Sequence, residues 1–281
     1  MGFFKKHIDF VSEHAVDADM RRYVVPEEAP RHYIDIDHYG PDPFEAVPRQ
    51  WNEAVEKFTE DTLLAYGIVP WHVHRVYQQL VMAYGTRDVA YILKTASDLG
   101  HYVADAHVPL HTTINYNGQL TGQHGIHGFW ESRLPELFAD RYDFFVGRAE
   151  YISDPLDAVW EAVERSHAAV DSVLRLERIL SERDNAPAKF TYEQRGASTV
   201  RVYSREFSEV YHQMLSGMVE RRMRAAIRLL GCLWYSAWVE AGQPKLDEPL
   251  SPEQLQQIAE EQKALEQMYH QKVVKTRPHE E

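Results

Sequence analysis

The chain carries one cysteine, Cys232, in 281 residues. A lone thiol excludes an internal disulfide and any metal site built on cysteine pairs. Set in the apolar run LLGCLWY, it reads as a small buried hydrophobe. No run reaches the roughly 18 apolar residues of a membrane span. The opening MGFFKKHIDFV has neither the apolar core nor the small-residue cleavage site of a secretory leader. Positive charge is short as well: 30 Lys and Arg face 43 Asp and Glu, a net charge of -13. That balance argues against tight binding to duplex nucleic acid, whose phosphates need Lys and Arg. The Gly-rich phosphate loop, the HExxH helix and the Gly-x-Ser-x-Gly elbow are all missing. So is an adjacent His-Asp pair.

Histidine, by contrast, is plentiful, with 15 in the chain. Five of them fall in LGHYVADAHVPLHTTINYNGQLTGQHGIHGFWESRLPEL, residues 99–137. His101 and Asp105 stand four apart, as do His127 and Glu131. Residues at i and i+4 share a helix face, so each pair can aim at one ion. His111 lies between them, just after the helix breaker Pro109. Imidazole with carboxylate and no thiolate suits zinc at a catalytic site better than at a structural one. Upstream, Asp17, Asp19, His32, Asp35 and Asp37 crowd an irregular segment that could complete the ligand set.

The pattern predicts an all-α fold without internal repeats. A short helical stretch at 3–15 precedes a Pro- and Asp-rich irregular region at 16–50. Helices are expected at about 51–65, 70–85, 87–107, 127–140, 155–182 and 201–241. Polar loops are expected at 108–126 and 183–200. One multi-helix domain spans 1–250. A C-terminal segment, 251–281, holds a weakly amphipathic helix over 252–270 and a frayed end, KTRPHEE.

The string HYVADAHVPLH, followed after a Gly-rich loop by GIHGFWES, resembles the superfamily of zinc-dependent phospholipase C and single-strand-specific zinc nuclease. AVDADMRR and RHYID resemble its upstream ligand segments. The specific motifs cover residues 16–137. The resemblance implies a helical fold holding a zinc cluster. Asp19, His32, His101 and Asp105 would surround one zinc, with Asp17 as the alternative to Asp19. His111, His127 and Glu131 would surround a second, and Asp105 would bridge toward a third. In that superfamily an N-terminal Trp and a nearby His hold the third zinc. This chain begins MGFFKKH, so the expectation is that the family's N-terminal segment is missing and two sites remain. By the same resemblance the protein would be secreted or periplasmic.

The reaction so implied is metal-assisted hydrolysis of a phosphodiester in a phospholipid or a single-stranded nucleic acid. Asp105 would fix the metals, and Asp17 or Asp35 would orient the water. HxPLH and the Trp of FWES look like the nuclease branch. Glu131, the short spacing from His111 to His127 and the acidic charge look like the phospholipase branch, which is the preferred expectation. A third reading, of another class, is a truncated metal-binding protein without turnover. Polar residues of 112–126 would supply neutral donors at the rim. Glu164 with His167 and Glu209 with His212 have the Glu-x-x-His spacing of di-iron bundles. Arg221, Arg222, Arg224 and Arg228 read as a solvated helix face.

Overall fold

The computed structural model describes residues 2–246, 249–271 and 274. Its centre is an antiparallel helical hairpin, Val69–Thr86 and Val89–Asp105. Buried residues recur at alternating steps of four and three along the first helix (Val69, Val73, Val76, Leu80, Ala83). Along the second the steps are three and four (Val89, Ile92, Ala96, Leu99, Val103). Each helix therefore presents one apolar stripe to its partner. The turn between them is sharp because Arg87 adopts φ 60° and Asp88 caps the next helix, accepting from the Tyr91 amide at 3.1 Å. Helices Pro155–His167 and Met218–Glu240 pack on this hairpin.

A second apolar cluster gathers Phe129, Trp130, Leu134 and Phe138 against Phe207, Tyr211 and Val219. The Phe129 and Tyr203 rings stack at 3.7 Å. Here Ile126–Gly128, the π-helical turn Phe129–Arg133 and Leu134–Phe138 run on as one helix. Pro135 explains the widened turn. It has no N–H to give the Glu131 carbonyl, and its ring would crowd that oxygen in a regular α-turn.

The protein is mostly helical, but the all-α expectation needs one correction. Phe190–Arg195 and Ser198–Tyr203 pair as an antiparallel hairpin. It falls largely in the segment expected as a polar loop. Only Gly196 and Ala197 join the strands, and Gly196 has φ 60° with Ala197 negative, the pattern of a type II′ turn. Three expected helices are also divided. Thr59, at φ 67°, separates Trp51–Phe58 from Glu60–Tyr66. Ala168 and Ala169 separate Pro155–His167 from Val170–Ser181. Gly217, at φ 76°, starts Met218–Glu240 apart from Arg205–Met214. The C-terminal helix is present as Pro252–Gln271. The frayed end expected at 275–281 lies outside the described residues. No helix among those described is long and apolar enough to cross a membrane.

Candidate metal centre

His101 and Asp105 close the Val89–Asp105 helix, where the backbone dipole favours positive charge. His32 reaches them from the short turn Ala29–His32, and Asp19 from the helix Asp17–Arg22. His32 Nδ1 lies 2.9 Å from Asp105 Oδ2 and 3.0 Å from His101 Nε2. His101 Nε2 is 3.3 Å from Asp105 Oδ2. Asp19 Oδ1 stands 3.9 Å from His32 Nδ1 and 3.7 Å from His101 Nε2.

The second group is tighter. Nε2 of His111 is 3.1 Å from Nε2 of His127 and 3.4 Å from Glu131 Oε2, and His127 Nε2 is 2.8 Å from the same oxygen. Each imidazole is oriented from behind. His111 Nδ1–H donates to the His32 carbonyl at 2.5 Å, and His127 Nδ1–H donates to the Tyr116 carbonyl at 3.0 Å. In these neutral tautomers both Nε2 lone pairs face a carboxylate. Three acceptors then converge, and only a proton or a cation relieves them.

Asp105 also touches the second group, from behind: its Oδ1 lies 3.8 Å from His111 Nδ1, the nitrogen that donates to the His32 carbonyl. Asp19, Asp105, His111, His127 and Glu131 line one cavity of about 360 Å³, together with Arg22, Tyr23 and Tyr269. Asp19, His32 and His101 could hold one metal ion, and His111, His127 and Glu131 another. Zinc fits these donors. With Zn–N near 2.0–2.1 Å, neighbouring ligands of a tetrahedral ion stand about 3.3 Å apart. The observed separations, 2.8–3.9 Å, bracket that distance.

The charges are set by the same contacts. Burial alone would raise the pKa values of Asp105 and Glu131. His101 and His111 beside Asp105 outweigh it, as do His111 and His127 beside Glu131, and both carboxyls stay ionised well below their usual range. Burial likewise opposes charge on His101, but Asp105 and Asp19 raise its pKa to about 9. His127 is lowered, by burial first. His111 is raised, because Asp105 and Glu131 exceed its burial.

Two supports leave no mark in the sequence pattern. Glu28 is fully buried, and its Oε1 is 3.7 Å from His32 Nε2, on the side of the ring away from the ligand atoms. The Tyr102 hydroxyl donates to it, and Arg31 donates at 2.5 Å. Burial resists its ionisation, yet His32, Arg21, Tyr102 and Arg31 hold its pKa at about 2. Asn117 accepts from the Gly125 amide at 3.0 Å and the His127 amide at 3.4 Å, fixing the start of the His127 helix. A Cβ on Gly118, at φ 70°, would lie 2.5 Å from the Gln123 carbonyl, so the loop leading there needs glycine.

Other expected residues land elsewhere. Asp17 Oδ2 is 2.8 Å from His14 Nδ1, and Asp17 lines a different cavity with Arg21 and Asp98. It is not among the residues lining the metal cavity, which leaves Asp19 as the upstream carboxylate. Asp35 joins neither group. Asp37 accepts from the Thr113 hydroxyl at 2.7 Å and the Ile114 amide at 2.9 Å, which anchors the chain just after His111. The loop expected to offer rim donors turns them inward: Asn115, Asn117 and Gln123 are buried, with Asn115 donating to Thr121 at 3.1 Å and Gln123 to the Leu174 carbonyl at 2.8 Å. Gly2, Phe3, Phe4 and His7 join neither ligand group, and Phe4 stacks on Trp234 at 4.0 Å.

The di-iron pattern is not assembled. His167 Nδ1–H donates to the Thr112 carbonyl and His212 meets the Tyr142 hydroxyl, while Glu164 and Glu209 are exposed. Arg222 donates to the His107 carbonyl at 2.9 Å, and Arg228 pairs with Glu150 at 2.9 Å, so part of the arginine face is engaged. Compared with known proteins, the chain matches no family model, no curated protein and no solved structure.

Proposed function

We propose that the protein is a zinc-dependent phosphodiester hydrolase, phospholipase C-like in its chemistry. The observation that carries this reading is Asp105, a buried carboxylate 2.9 Å from His32 and 3.8 Å from His111, on the cavity that Asp19, His111, His127 and Glu131 also line. Zinc held by such groups lowers the pKa of a bound water toward neutrality and offsets charge on phosphoryl oxygens. Asp19, His32, His101 and Asp105 would hold one ion, and His111, His127 and Glu131 the other. Asp105 would fix the spacing between them. Arg22 lines the same cavity, with one guanidinium nitrogen 3.4 Å from Asp19, and would bear on a phosphoryl oxygen. The buried His32 and His111 rings keep their orientation through Glu28 and the His32 carbonyl.

A single-strand-specific nuclease would use the same residues. The third reading, metal binding without turnover, is separated by assay. Elemental analysis of the purified chain, beside His101→Ala, is expected to give about two zincs, falling in the variant. The zinc-loaded chain is expected to hydrolyse bis(p-nitrophenyl) phosphate. No bound zinc, or iron in its place, overturns the hydrolase reading. Bound zinc without hydrolysis of any diester leaves the metal-binding protein.

A further inference from the structure

The candidate metal cavity has an aromatic wall in which the two ends of the chain meet. Tyr23 follows the Asp17–Arg22 helix, and Tyr269 lies in the last turn of Pro252–Gln271. Both line the cavity, and their rings meet edge to face at 5.5 Å. The Val274 amide then donates to the Tyr23 carbonyl at 3.0 Å. The C-terminal helix therefore reaches the cavity that holds the candidate ligands.

That helix is lightly seated. Ile258 is its one buried residue among those described. Gln254 donates to Asp88 at 3.0 Å, and Lys94 pairs with Glu261, both at exposed positions. Beneath it lies a separate cavity of about 230 Å³, lined by Asp17, Asp98, Ile258 and Leu265 among others. Among the described residues, one buried isoleucine, the Tyr269–Tyr23 pair, the Val274 amide bond and a few surface polar contacts make a lighter anchor than the packed hairpin core has. The metal cavity, at about 360 Å³, is at the small end of ligand sites. It has room for one phosphodiester unit with modest ester groups. A continuous strand or a lipid still seated in a bilayer would meet that wall.

We infer that the C-terminal helix, through Tyr269 against Tyr23, is the specificity-determining wall of this centre and restricts it to small soluble phosphodiesters. The inference rests on the phosphodiesterase reading. Undocking the helix would admit extended substrates without altering the ligands.

The test uses the full chain, zinc-loaded, as wild type, Ile258→Glu and Tyr269→Ala. Two quantities are measured: the rate at which EDTA strips zinc, and kcat/KM for bis(p-nitrophenyl) phosphate against long single-stranded DNA and phosphatidylcholine vesicles. Both variants are expected to lose zinc to EDTA about tenfold faster, on the scale of one lost buried anchor. In Ile258→Glu the extended-to-small substrate ratio rises by about the same factor. Its rate on the small diester stays near wild type. Stripping rates equal to wild type in both variants overturn the wall, as does a wild type that cleaves the extended substrates as fast as the small diester. The stripping arm needs no turnover. A zinc protein that hydrolyses nothing therefore defeats the phosphodiesterase reading while the wall is still tested.

Discussion

The first ligand group draws on three separated stretches, at Asp19, His32 and the 101–105 helix end, whereas the second lies within residues 111–131. His32 docks closely, 3.0 Å from His101, and the looseness lies at Asp19. Asp19 is 53% exposed and stands 3.7–3.9 Å from its neighbours, while His127 and Glu131 meet at 2.8 Å with His127 buried. A compact group on one local framework keeps its geometry as long as that framework folds. A dispersed group depends on several elements docking correctly, so it is the more easily disturbed. The first group is therefore where this centre is expected to fail first, and perturbing the two separately tests whether they differ as their geometry implies.

The largest effect is expected at the residue the two groups share. Asp105→Ala removes a buried charge that faces His32 and His101 at one oxygen and His111 at the other. Hydrolysis is expected to fall by about 10²–10³-fold, the scale of losing one charge stabiliser in a closed site. Zinc content is expected to drop in both groups. Asp19→Ala, by contrast, should weaken only the first zinc, and less than His127→Ala weakens the second. Competition titration with a chromogenic chelator checks all three. Equal losses for Asp19→Ala and His127→Ala would erase the distinction between the groups.

Glu28→Gln comes next. The substituted amide keeps the shape of the side chain but removes the negative charge behind His32. Outer residues of this kind cost about 10–100-fold in metal affinity when replaced. The loss should appear at the first zinc alone, because no Glu28 contact reaches His111, His127 or Glu131. A titration in which both zincs weaken together would mean that Glu28 supports the fold and not the ring.

How far the centre could be read in the sequence follows from the same contrast. His101 with Asp105, and His127 with Glu131, were legible because helix geometry alone brings i and i+4 together. The helical class was legible from periodicity, but the 190–203 hairpin was not. Its strands carry Glu193, Arg195 and Arg201 among the aromatics and are largely exposed, so little hydrophobic alternation marks them. Asp17 and Asp19 could not be told apart, since both belong to the first turn of the same short helix. Two positions along a helix point to different sides, and docking places Asp19 on the cavity with His111, His127 and Glu131 and Asp17 on the other. Glu28 was hidden for another reason. In VVPEEAPRH it looks like a solvated acid, and only the folded chain surrounds it with Arg21, Arg31 and Tyr102.

The last expected effect concerns acid. Behind the first group, the His72 ring stands against Tyr102 at 4.5 Å, and the Tyr102 hydroxyl donates to Glu28. Burial, with Arg31 nearby, lowers the His72 pKa to about 3. An unfolded His72 titrates near 6.5, so below that pH the unfolded chain takes up a proton that the folded chain refuses. Stability is therefore complete above about 6.5 and is lost as pH falls toward 3, by at most about 1.4 kcal/mol per pH unit for this one group. Thermal unfolding of the metal-free protein between pH 7 and 4 should show the decline, and His72→Gln should make it shallower. His107, lowered to about 4 by burial and Arg222, adds to the slope in both proteins, so the variant flattens the curve without levelling it. Because His72 stands behind His32 and not behind His127, acid should also loosen the first group before the second. If His72→Gln leaves the slope unchanged, the ring is not held neutral by its surroundings, and the first group has no acid-sensitive backing.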